Sequence, residues 1–98
     1  MNLRSKILTD AEQLVNGDRN NAYGPPSQDF KRTAIMWTAY LDGRNILEAH
    51  DVAAMMCLLK LSRLSWQPDN QDSWTDLAGY AACGYETTQT NGRHTHAD

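Results

Sequence analysis

Asp51 to Leu64 reads DVAAMMCLLKLSRL, and within it the ten positions from Val52 to Leu61 hold a single charged residue, Lys60. At about 1.5 Å per helical residue the run covers roughly half of the ~30 Å hydrocarbon core, too little to span a bilayer. Lys60 and Arg63 close it off. The reading that fits both facts is a fully buried helix of a soluble bundle, apolar on every side, with the other helices packed around it. Lys60 and Arg63 stand three apart and share one face of that helix. Two cations emerging together from a core offer an anion site, although Lys and Arg near a helix C-terminus also meet the macrodipole and snorkel to water.

Around that helix, the 98 residues make one domain with one modest core, small enough to gain from association. Trp37, Trp66, Trp74 and Tyr85 add more large apolar surface than three flanking helices readily cover, so a homo-oligomer is expected. The net charge of −3 and the pI near 5.5 argue against a general binder of long nucleic acid and leave room only for a local basic pocket. Cys57 and Cys83 fall within apolar helical pattern without metal-type spacing, as small buried hydrophobes of a reducing compartment do. The opening MNLRSKILTDAEQLV lacks the apolar segment of a signal peptide, and no stretch is fit to cross a membrane. A cytoplasmic protein is expected.

Leu3, Ile7, Ala11, Leu14 and Val15 recur at helical spacing and predict an amphipathic first helix, stopped by Asn16-Gly17. Gly17 to Phe30, GDRNNAYGPPSQDF, reads as a loop, since Pro25-Pro26 forbids helix across that point. Arg19, Asn20 and Tyr23 lie close together in it and supply a guanidinium fork, an amide and a stackable ring, the contacts a nucleotide needs. Ser27 is the expected N-cap of a second helix whose inward face is Phe30, Ala34, Trp37 and Leu41. After the turn Asp42 to Asn45, the apolar helix begins near Glu48; a loop from Ser65 to Gln71 follows. A fourth helix is predicted from about Asp72 to Glu86, with Trp74, Leu77, Ala78, Ala81 and Tyr85 inward. Its other face carries Asp72, Asp76, Gly79, Tyr80 and Cys83, whose small members let a neighbouring helix approach closely. Residues 87–98 are polar and aperiodic and read as a disordered tail, with His94 and His96 too isolated for a metal site. The expectation is an all-α, four-helix bundle-like domain over residues 1–86.

Glu48 and Asp51 at the start of the apolar helix and Asp72 and Asp76 at the start of the last one are candidate hard ligands for Mg²⁺. In antiparallel neighbours the two pairs would lie about 20 Å apart. First-turn carboxylates also serve simply as dipole partners.

The segments GDRNNAYGPPSQDFKRTAIMW and DVAAMMCLLKLSRL, with DSWTDLAGYAACGY after them, together resemble a family of small phage-encoded helical proteins of uncharacterised domain type, over most of Asn2 to Glu86. The last segment also resembles the final metal-binding helix of MazG-like all-α nucleotide pyrophosphohydrolases, which use an EExxE helix, an ExxD helix and Mg²⁺. Glu48-Ala49-His50-Asp51 spells ExxD, but no EExxE precedes it, and the second helix offers only Asp29 and Asp42. What the resemblance implies is a nucleotide-handling scaffold without a full hydrolytic set. The expected function is therefore a phage protein that sequesters a phosphorylated nucleotide signal in the manner of an anti-defence sponge. Its pocket would contain Arg19, Asn20, Tyr23, Lys60 and Arg63, with no cofactor. The alternatives are Mg²⁺-dependent hydrolysis at Glu48, Asp51, Asp72 and Asp76, and a structural or protein-partner module.

Overall fold

A computed structural model describes residues 2–89, as four long helices and one short one with no strand among the described residues: α1 (Leu3–Asn16), α2 (Asp18–Tyr23), α3 (Pro26–Tyr40), α4 (Ala49–Trp66) and α5 (Gln71–Gln89). The all-α expectation holds among the described residues, and several helix ends have a local cause. The Asn2 side chain accepts from Ser5 N at 2.8 Å and starts α1. α3 opens with Pro26 in its first turn, where a missing N–H costs nothing, so the N-cap is Pro25 rather than Ser27. The chain leaves α3 through Asp42 and Gly43, both at positive φ. Glu48 N donates to Asp51 Oδ2 at 2.8 Å in a capping box that begins α4. The Asn70 side chain accepts from Ser73 N at 2.8 Å where α5 begins.

Two stretches expected to be irregular are helical. Asp18–Tyr23 is α2, a short helix between Gly17 and Gly24, because the breakers flank the hexapeptide and none lies inside it. Tertiary contact holds so short a helix: Arg32 donates to the carbonyl of Tyr23, and Arg19 lies over an α5 ring. Residues 87–89 continue α5, where Thr87 and Thr88 hydroxyls donate to the carbonyls of Gly84 and Tyr85. The rest of the expected tail, with His94 and His96, lies outside the described residues.

The helix at the centre is α5, not α4. α5 packs against α1, α3 and α4, whereas the main neighbours of α4 are α3 and α5. Two glycines of α5 decide this, Gly79 on the small-residue face read from the sequence and Gly84 outside it. A Cβ on Gly84 would stand 2.9 Å from the Ala53 Cβ, and one on Gly79 would stand 3.2 Å from Val15 Cγ1. α5 thus accepts α4 on one side and α1 on another at distances that larger residues forbid. The stripe expected to face inward on α5 is accordingly rotated: Ser73, Thr75, Gly79 and Cys83 are buried, while Trp74, Ala81 and Tyr85 are exposed. Phe30, Ala34, Val52, Ala53 and Cys83 form the core, with Val15, Trp37, Met56 and Tyr80 half-buried against it. Within one chain, α4 buries only Val52, Ala53 and Leu64, and Met55, Leu58, Leu59, Leu61 and Trp66 are left exposed. The all-round burial expected for α4 is therefore not met inside a single chain, since its neighbours cover one side. Among the described residues no helix is long and apolar enough to cross a membrane.

Candidate functional site

From α2, Arg19 reaches across to α5. Its guanidinium carbon lies 5.6 Å from the centroid of the Tyr23 ring and 5.6 Å from that of Tyr80, so it sits between two aromatic faces. Behind it opens a cleft of about 280 Å³, with Phe30, Asp76, Gly79, Tyr80 and Cys83 in its wall. Phe30 and Tyr80 pack with centroids 6.2 Å apart at 34°. Burial pushes the Cys83 thiol above its ordinary pKa, and Glu86 and Asp29 push the same way against the opposing pull of Arg19. Burial therefore favours the uncharged thiol of Cys83 in the cleft wall.

Lys60 and Arg63 border a second cleft, of about 450 Å³, together with Trp66, Asn70, Asp72 and Asp76. Lys60 Nζ stands 2.9 Å from Asp76 Oδ2, and its side chain is only 12% exposed. Among the described residues, the one common to both clefts is Asp76. The cations expected in one pocket thus fall on either side of a carboxylate wall, Arg19 in the first cleft and Lys60 and Arg63 in the second. Asn20 lines neither cleft; its carbonyl accepts from Gly24 N at 2.8 Å and closes α2. Tyr23 takes part only as the outer ring against Arg19. Phe30 and Tyr80, which the sequence pattern did not single out for ligand contact, complete the first cleft. The signal for Tyr80 was its place beside Gly79 on the small-residue face of α5.

The four carboxylates do not converge within one chain. Close approach of Gly84 to Ala53 and pairing of Asp76 with Lys60 make α4 and α5 antiparallel. Glu48 and Asp51 consequently lie roughly 15–20 Å along α4 from the Asp72 and Asp76 end. Asp51 is used as a helix cap, and the His50 ring stands 3.6 Å from both Glu48 Oε1 and Asp51 Oδ1. The ExxD spelling is thus a capping box in space. Among the described residues, no three His, Cys, Asp or Glu side chains gather in a way that could hold a metal ion.

A family model described as a domain of unknown function, DUF6378, matches residues 6–88, which takes in both clefts. The chain belongs to this family. It is 38% identical over 81 residues to the Gene 55 protein of Mycobacterium phage D29, covering 83% of this chain and 52% of the relative. It is 43% identical over 75 residues to the Gene 55 protein of Mycobacterium phage L5, covering 76% of this chain and 47% of the relative. The chain therefore spans about half the length of these relatives. The expected kinship to small phage-encoded proteins holds at that level. No solved structure matches the chain.

Proposed function

We propose that this DUF6378 chain binds a phosphorylated nucleotide in the Arg19–Tyr80 cleft and holds it without cleaving it. The observation that carries the reading is the Arg19 guanidinium, held between two tyrosine rings at the edge of a cleft that also offers a carboxylate. A guanidinium so oriented is a rigid fork for phosphate oxygens. Tyr80 and Phe30 supply apolar ring surface for a base, and Asp76 accepts hydrogen bonds from ribose hydroxyls. The phosphate lies on the Arg19 side, where that guanidinium is the cation of the cleft, while the Asp76 charge is already met by Lys60. The Arg19–Tyr80 cleft, about 280 Å³, lies just under the lower end of the range of small-molecule sites, about 300–1,000 Å³, and the adjoining cleft beyond Asp76, about 450 Å³, lies within it.

Hydrolysis of the MazG-like kind requires carboxylates converging on Mg²⁺, and the separation of Glu48 and Asp51 from Asp72 and Asp76 favours binding without turnover. Sequestration of a nucleotide signal is the use we propose for such a site. Titration calorimetry against nucleoside phosphates and cyclic oligonucleotides, with and without Mg²⁺, followed by chromatography of the recovered ligand, tests the reading. Saturable binding with intact ligand is the expected result. Cleaved ligand replaces the reading with an enzyme, and no binding by any member of the panel removes it.

A further inference from the structure

The outward side of α4 is a surface that a globular monomer does not ordinarily leave to water. Met55, Leu58, Leu59, Leu61 and Trp66 are 41, 64, 40, 47 and 90% exposed, and between Asp51 and Arg63 that side bears no charge. The spacing 55, 58, 59, 62 and 66 marks one helical face, with Leu61 at its margin. At its Met55 end the surface runs into a groove of about 510 Å³ lined by Trp37, Tyr40, Leu41, Leu47 and Met55, where Tyr40 is 88% exposed.

We infer that this face pairs two copies of the chain, α4 against α4 and antiparallel, about a twofold axis near Leu58. Three observations converge on a second copy as the occupant. The first is area: at about 200 Å² for each fully exposed side chain of this size, the five residues and Tyr40 present roughly 750 Å² per chain, hence about 1,500 Å² in a pair, within the range of stable interfaces. The second is charge. α4 is acidic in its first turn, at Asp51, and basic in its last, at Arg63. An antiparallel pair sets each acidic end toward its partner's basic end and opposes the helix dipoles favourably, whereas a parallel pair stacks like on like. The third is symmetry: Leu58 lies midway between Met55 and Leu61, so an axis there sets each Met55 against its partner's Leu61, as an isologous contact requires, with each Trp66 over the first turn of its partner's α4.

The inference is independent of the nucleotide reading. The test is light-scattering mass of the full chain across micromolar concentrations, for the native protein and for Leu58→Glu. The native protein is expected at twice the 11.0 kDa chain mass. Leu58→Glu places two carboxylates against each other at the axis and is expected to weaken the dimer at least about a hundredfold. Because Leu58 is exposed in the single chain, its helical circular dichroism is expected to persist. A second variant, Leu58→Cys, is expected to cross-link two chains under mild oxidation when the native protein, with only Cys57 and Cys83, does not. A monomeric native protein overturns the inference, as does a dimer indifferent to Leu58→Glu in which Leu58→Cys fails to cross-link.

Discussion

Replacing Asp76 by Ala leaves Lys60 without its carboxylate at a position where the side chain is only 12% exposed. An exposed ion pair would contribute at most about 1 kcal/mol, and removing one partner from a fully buried pair costs about 3–5 kcal/mol. Here Lys60 is largely buried while Asp76 is 31% exposed, and the contact is 2.9 Å. The expected loss lies between those limits, about 2 kcal/mol, in line with a hydrogen bond between charged groups. For a domain of this size that corresponds to a fall in Tm of about 8–16 °C. The assay is thermal and urea unfolding of Asp76→Ala, Lys60→Met and the double variant. Lys60→Met keeps the apolar stem and removes the charge, so the double variant is expected to recover part of the loss from Asp76→Ala. A coupling energy under about 0.5 kcal/mol would show that Lys60 reaches water instead and that Asp76 is not the wall between the clefts.

Gly84→Val forces a branched side chain against Ala53, where even a Cβ would stand at 2.9 Å. A loss of about 1–3 kcal/mol is expected in denaturant unfolding, despite the gain in helix propensity. Asp51→Ala removes the acceptor for Glu48 N and is expected to cost about 1 kcal/mol, with no metal dependence of the melting temperature before or after the change. Burial holds the Cys83 pKa high, so alkylation of the folded chain near pH 8 is expected to leave Cys83 slower than the same cysteine after unfolding. The same shift fixes a pH slope: the unfolded thiol loses its proton first, so this contribution to stability is present below the ordinary thiol pKa of about 8.5 and is lost as pH rises through the higher folded value. An unfolding free energy that rises across that window in the native protein, but not in Cys83→Ala, would contradict it.

The helices were legible where periodicity and punctuation agree. Asn16-Gly17, Pro25-Pro26 and Glu48 mark real boundaries, because cap and breaker chemistry acts within a few residues. α2 was not legible, since its six residues gain their order from Arg19 on Tyr80 and Arg32 on the Tyr23 carbonyl, contacts distant in sequence. The centre of the bundle was misassigned because the nearly unbroken apolar run from Val52 to Leu61 favoured α4, while packing was decided by what is missing at Gly79 and Gly84. Small residues on α5 set how near the neighbours come, and the large ones at Trp74 and Tyr85 are turned outward. Of the candidate site, Arg19 was singled out from its chemistry. Its division from Lys60 and Arg63 depends on the register of α5 against α4, which no pattern in either helix states. The ExxD spelling misled for a physical reason: a carboxylate at the third helical position is what a capping box and a metal motif have in common.

Calorimetric titration of Arg19→Ala beside the native chain, using whichever panel nucleotide the native chain binds, decides whether the first cleft is a nucleotide site. Arg19 lies half-buried between Tyr23 and Tyr80, so its removal takes one charge-assisted contact from the phosphate. A loss of about 1.5–3 kcal/mol is expected, roughly ten- to a hundredfold in Kd, in a chain that keeps its helical signal, with Tyr80→Ala as a companion variant of smaller effect. An Arg19→Ala protein that melts earlier yet binds the nucleotide with native affinity would contradict the nucleotide reading, for Arg19 would then only hold α2 against α5.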